Sequence, residues 1–285
     1  MNEVVETREL RYFVAVAEEL HFGRAAERLG ISQPPLSRAV QQLERRLGVG
    51  LLERTSRGVT LTAPGWVLLR EGRAALDSVE AAERRTVRAA AAGGRSTVAL
   101  ATKTGASVEL LAKLLDAYAA EPGAAHVDVL LCAVGEQERM LRDGRADVAL
   151  LHRPFDDTAG FDVEDLVRES QVALVPAGHA LARRSHVDLA DVSGLADLPL
   201  ARWPRRDGTY GDGPGPQVHD MTQLLQLVSL GRACVVLPAS VGPHLHDDLA
   251  AVPVRDASWV TTVIAWPPHS RSRAVADLVR TATRL

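Results

Sequence analysis

Between Ser32 and Gly48 two consecutive prolines, Pro34 and Pro35, open a stretch whose apolar residues Leu36, Val40, Leu43 and Leu47 recur at the spacing of one helical stripe. Prolines are tolerated there only in a first helical turn, where the missing N–H has no intrahelical partner anyway. A helix from Ser32 to Gly48 follows, started by proline and stopped by glycine. Ser32 takes the N-cap slot, but the amides it would bond belong to Pro34 and Pro35, so its hydroxyl is left for another partner. The face opposite the stripe carries Gln33, Ser37, Arg38, Gln41 and Arg45. Long hydrogen-bonding side chains at the tip of a helix propped from behind by leucines are what contact with base edges in a major groove requires.

The flanking residues complete a small unit around this helix. Arg24 to Leu29 reads as a short helix ending at Gly30, and Ala25 and Ala26 are small enough for a close crossing with the next one, the arrangement of a helix-turn-helix. Glu3 to Leu20 reads as a rear helix with Leu10, Phe13, Val14, Ala17 and Leu20 as its stripe. After Gly48, Leu51–Arg54 and Val59–Thr62 flank the turn Thr55-Ser56-Arg57-Gly58, a hairpin with a basic tip. Residues 21–70 hold eight arginines against three glutamates, a net charge of +5, which leaves −8 elsewhere in a chain of formal charge −3. A solvated charged face is the common cause of such a bias. Here the geometry of the proline-started helix favours nucleic-acid contact at one end.

The run from Ala25 to Gly65, AAERLGISQPPLSRAVQQLERRLGV followed by LLERTSRGVTLTAPG, resembles the LysR-type transcriptional regulators. The resemblance implies a winged helix-turn-helix and a DNA-binding role for Gln33, Pro34, Ser37 and Arg38, with Arg57 in the wing; Ser32, with its uncommitted hydroxyl, and Gln41, on the same polar face, join them as candidates. Arg54 is a weaker carry-over, since Glu53 or a neighbouring helix offers it a role in bracing the wing instead.

From Ala63 to about Ala92 the pattern is helical again, with Leu69, Gly72, Leu76, Val79 and Thr86 in a stripe. A helix this long is unstable alone with that stripe exposed, so it packs either on its own domain or on a partner helix. The resemblance favours a partner: a dimer or tetramer whose paired recognition helices meet a near-palindromic operator in double-stranded DNA. Gly93-Gly94 ends the helix as a hinge.

Beyond Arg95 strands and helices alternate. Strands are expected at 97–101, 127–133, 147–151, 171–175, 198–201, 233–237 and 261–265, with helices at 106–119, 137–142, near Leu189, at 221–230 and at 271–283. Near-continuous apolar strands between amphipathic helices imply parallel sheets covered on both faces. The order of elements, with LRDGRADVALL and LVSLGRACVVLPAS, resembles the periplasmic-binding-protein-like effector domain of the same family. The expected fold is therefore an N-terminal all-α winged helix-turn-helix (1–65), a linker or dimerisation helix and hinge (66–94), and a two-lobed α/β effector-binding domain (95–285). Lobe I is expected at about 95–165 and 266–285, lobe II at about 166–265.

Ligands in such open sheets lie beyond the carboxyl ends of strands. Thr102, Lys103 and Thr104, between the first strand and its helix, offer hydroxyls, amides and one of the chain's two lysines to a small-molecule effector such as a carboxylate. The same residues read equally as a helix cap with a solvent-exposed lysine. Arg202 and Trp203 are candidates for the facing wall; His152 and Arg153 are alternatives. Between residues 205 and 217 the chain is shorter than in the family, and five of the six positions 211–216 are glycine or proline, which forbids a helix and opens that side of the cleft.

Other chemistry is thinly represented. His244-Leu245-His246-Asp247-Asp248 holds ligand types without the three or four converging groups a zinc site needs, so no metal is expected, and no cofactor. No G-x-S-x-G elbow or H-E-x-x-H motif occurs, which argues against an enzyme. Cys132 and Cys234 read as small buried hydrophobes in predicted strands. No apolar run approaches ~18 residues and no signal peptide is visible, so a cytoplasmic location and no membrane association are expected. The sequence therefore reads as an effector-controlled, sequence-specific transcription regulator. The alternative is an intracellular small-molecule-binding receptor or α/β enzyme with an accessory helical module.

Overall fold

The computed structural model describes residues 5–55, 58–91, 93, 96–205 and 209–285. The chain forms two compact units, residues 1–85 and 86–285.

In the first unit, helices α1 (Thr7–Glu19), α2 (Phe22–Leu29) and α3 (Gln33–Leu47) precede the hairpin β1 (Leu52–Thr55) and β2 (Gly58–Leu61), and α4 (Ala63–Ala91) follows. Leu36, Val40 and Leu43 of α3 are buried with Ala15, Val16, Phe13, Ala25 and Ala26. Two expected stripe residues fall outside this core. Leu20 is 44% exposed because it is the left-handed cap that ends α1, and Leu47 is 39% exposed one residue before the cap Gly48. At Gly72 α4 packs on α1 with room to spare: a Cβ there would make ordinary contacts with Val14 Cγ2 at 3.4 Å and Leu10 Cδ2 at 3.5 Å. Gly65 is stricter, since a Cβ would lie 2.1 Å from the Leu51 carbonyl oxygen.

The second unit contains two sheets. The five-stranded sheet runs in the order β4 (His126–Cys132), β3 (Thr97–Lys103), β5 (Val148–Arg153), β10 (Val260–Trp266), β6 (Asp162–Glu169). Helices α5 (Val108–Ala119) and α9 (Arg273–Ala282) cover one face through Leu114, Tyr118, Val275 and Leu278. Helix α6 (Gln137–Arg142) covers the other through Met140 and Leu141. The three-stranded sheet runs β8 (Val235–Pro238), β7 (Gln171–Pro176), β9 (Leu249–Val254), between α7 (Leu189–Ser193) and α8 (Met221–Ser229).

The expectation of wholly parallel sheets is corrected. Only β3–β4 and β3–β5 are parallel; β10 runs antiparallel to both neighbours, and the second sheet is antiparallel throughout. Burial on both faces gave β5 and β10 the continuous apolar look that parallel strands share. Sheet membership also differs from the expected lobe limits of 165 and 265. All of β6 and β10 belong to the first sheet, so the second lobe's strands span 171–254. β6, with exposed residues over most of its length, and β9 carry no periodicity that announced them. The expected strand at 198–201 is only an isolated bridge, Leu200 to Cys234.

Candidate nucleic-acid interface and ligand cleft

α3 starts at Gln33 with Ser32 as its N-cap, and the Ser32 side chain makes no capping bond, as two prolines in the first turn dictate. Gln33, Pro34, Arg38 and Gln41 are exposed along one side of the helix, while Leu36, Val40 and Leu43 are buried behind them. Ser32 is exposed as well. Ser37 is half-buried and has a partner within the protein. Arg54 lies in β1, but its side chain, and Arg57 entirely, fall outside the described residues.

Three ties hold this tip in place. Glu44 Oε1 accepts from the amides of Leu51 (2.8 Å) and Leu52 (3.1 Å), fixing the hairpin to α3. The Val59 amide donates to the Leu20 carbonyl at 3.3 Å, fixing it to α1. Glu18 accepts from Arg28 at 2.7 Å and from Arg73, joining α1 to α2 and α4. Burial raises the Glu18 pKa, but the two arginine hydrogen bonds and charges outweigh it and hold the carboxyl below its usual range. Glu9 and Arg46 form a further ion pair between α1 and α3.

In the second unit the residues expected to meet an effector are largely engaged by the protein itself. Lys103 Nζ lies 2.7 Å from Asp156 Oδ2, with both side chains largely covered. The expectation of a free ammonium for a ligand carboxylate is thus corrected, as is that of a solvent-exposed lysine: Asp156 supplies the carboxylate. Burial raises the Asp156 pKa, but hydrogen bonding with His152 and the charge of Lys103 pull it below the usual carboxylate range. The His152 amide donates to Asp156 at 2.7 Å, and His152 Nε2 lies 2.9 Å from Ser107 Oγ. Ser107 is the N-cap of α5 but makes no capping bond, because its hydroxyl is turned to this histidine. The sequence singled out neither Ser107 nor Asp156, since no spacing links them to Lys103.

Thr104 donates its amide to the Cys132 carbonyl at 3.0 Å. Thr102 is fully buried, and its hydroxyl has no partner among the described residues; the same holds for both amide atoms of Gln137. A buried polar group without a partner calls for an explanation. Thr102 shares strand parity with Leu100, on the α5 and α9 face, whereas Gln137 lies three and four residues, about one helical turn, before Met140 and Leu141 on the α6 face. The two therefore do not form a single recognition cluster.

On the other lobe, Arg202 donates through Nε to the Gly215 carbonyl (2.6 Å) and through Nη1 to the Gly211 carbonyl (2.9 Å). It braces the glycine-proline segment, in which no helix forms among the described residues. Trp203 packs against the second-lobe core, and Arg153 pairs with Asp165. The lobes approach where Gly105, at φ +79°, faces Met221: a Cβ on Gly105 would sit 3.1 Å from Met221 Cγ. Nearby, the Tyr210 hydroxyl lies 2.7 Å from His219 Nδ1. Among the described residues no group of three or more His, Cys, Asp or Glu side chains is placed to hold a metal, and no helix is long and apolar enough to cross a membrane.

Residues 7–66 match the family model for bacterial regulatory helix-turn-helix proteins of the lysR family, and residues 91–285 match the LysR substrate-binding domain. The chain is 33% identical to the transcriptional regulator YnfL of Escherichia coli, with 95% of each chain covered. It is 32% identical to BudR of Raoultella terrigena, covering 95% of this chain and 98% of that one. Among solved structures, full-length CbnR complexed with its target DNA aligns at 28% identity and a TM-score of 0.52, covering 98% of this chain and 99% of CbnR. With both halves matched and the helix-turn-helix tip exposed on its propped helix, the chain belongs to the LysR family of DNA-binding transcription regulators.

Proposed function

We propose that the chain reads a near-palindromic operator in double-stranded DNA through Gln33, Pro34, Arg38 and Gln41 at the exposed side of α3, with Ser32 and Ser37 beside them and Arg54 and Arg57 from the hairpin. The observation that carries this is the solvent-facing polar row backed by fully buried Leu36 and Leu43. The protein acts as a dimer or tetramer in the cytoplasm, where its DNA is, and catalyses no reaction. A small molecule held between the two lobes shifts the geometry of the assembly and hence the spacing of its recognition helices. Because Lys103 is neutralised by Asp156, hydrogen-bonding groups at the cleft, Thr104, Tyr210 and His219 among them, select that molecule more than a free cation does.

A gel shift at varied salt tests the first part. Specific affinity about 10³-fold or more above non-specific binding is expected, both falling as salt rises. Arg38→Ala should cost ~1–3 kcal/mol of discrimination between operator and scrambled DNA. Unchanged discrimination would remove α3 as the reading face. A thermal-shift screen pairing small carboxylates with neutral hydroxylated analogues tests the second part. Selective stabilisation by carboxylates would overturn the neutral-cleft reading.

A further inference from the structure

The last turn of α4 is bolted down. Arg88 donates through Nη2 to Asp147 Oδ1 at 2.6 Å and through Nη1 to the Arg145 carbonyl at 2.9 Å, with the Gly144 carbonyl at 3.4 Å. The two side chains are 23% and 15% exposed, so solvent screens this pair less than a surface one. Asp147 is itself built into the sheet: its Oδ2 accepts from the Ala99 amide at 3.0 Å, and its own amide donates to the Ala99 carbonyl at 2.8 Å. The neighbouring charges are engaged elsewhere, Arg145 with Asp143 and Arg84 with Glu80. One guanidinium thus joins the helix to the turn entering β5 and, through one carboxylate, to β3. Those are the strands whose far ends carry Lys103 and His152.

We infer that Arg88 makes the end of α4 a rigid part of the α/β domain, so that movement at the strand ends passes into the linker helix and is not absorbed at Gly93. The inference names the route of regulation within the reading proposed above and rests on it.

The test uses the full-length chain carrying nitroxide labels at Ala90→Cys and Glu121→Cys, both exposed positions. The native thiols are buried and pushed up to about 11, which keeps them out of the labelling reaction. Pulsed dipolar spectroscopy should give a narrow distance distribution that broadens in Arg88→Ala. Arg88→Lys, which keeps the charge on Asp147 but cannot serve both carbonyls and the carboxylate as the planar fork does, should fall between. Amides 89–91 should exchange about tenfold faster or more in Arg88→Ala. Arg88→Gln provides a second neutral variant should the alanine variant fold poorly. A distribution equally narrow without the arginine, or broad already with it, overturns the inference. Specific DNA binding by the unlabelled chain is scored separately: its absence would sink the regulatory reading and leave the tie standing.

Discussion

Lys103 and Asp156 show how far a single side chain's role depends on what faces it. A lysine after a strand, next to two threonines, has the composition of an anion site, yet its ammonium lies 2.7 Å from a carboxylate 53 residues further on. Removing one partner of such a covered pair strands the other charge. Lys103→Met should therefore cost about 3–5 kcal/mol of stability, and Lys103→Met combined with Asp156→Asn, which removes the stranded charge and keeps an acceptor for the His152 amide, should recover much of it, as read by denaturant titration. Glu18 carries a second prediction. Its folded pKa lies below its unfolded one, so the unfolded chain binds more protons as pH falls. The stability it contributes is fully present above the ordinary glutamate pKa and is lost as pH drops through the depressed value. Glu18→Gln should flatten the acid side of the stability profile. The two cysteines bear out their packing role: Cys132 and Cys234 are buried, with pKa values raised to about 11 by burial. Thiol titration near neutral pH should detect neither quickly in the folded chain and both after denaturation.

At the scale of elements, α3 is set by its own residues, while the hairpin is set by α3. Two prolines, a glycine stop and a four-residue apolar row specify the helix locally, and its limits, Gln33–Leu47, agree with the expected ones to within a residue. The hairpin has four-residue strands and depends on Glu44 for the two amides where it begins. Glu44→Ala leaves those amides without their acceptor and should destabilise the first unit by ~1–3 kcal/mol. It should also weaken DNA binding to all sequences alike, since the wing and not the reading face is loosened; a change in sequence preference in the gel shift would contradict this. In the second unit β6 and β9 were not legible at all, and the strands that were legible did not reveal their pairing. β5 and β10 are buried on both faces, and such a strand has the same alternation-free pattern whichever way its neighbour runs.

At the scale of the molecule, α4 presents Trp66, Val67, Val79 and Val87 to solvent over 22 residues, each at least 45% exposed. At 100° per residue Val79 and Val87 continue the stripe of Leu69, Gly72 and Leu76, whereas Trp66 and Val67 lie off it; burying Val79 and Val87 against a second copy is the simplest way for a 29-residue helix to hold together. Val79→Glu should shift the protein toward monomer in analytical ultracentrifugation and weaken operator binding, because two half-sites then no longer act together. Persistence of the wild-type oligomer in this variant would place the interface elsewhere.

The DNA-reading half was nearly complete in the linear chain, because helix start, stop and buried stripe are short-range matters decided within about four residues of one another. The same holds for the glycine-proline segment at 211–216, whose lack of helix follows from its residues alone. The ligand cleft was not legible to the same degree. Whether Lys103 is free, whether Ser107 caps its helix, and whether Arg202 faces a ligand or two main-chain carbonyls all turn on partners brought close by folding, at separations of 53, 45 and 9–13 residues. Such pairings leave no periodic trace, since hydrogen bonds and charges act over a few ångströms of space and are indifferent to distance along the chain.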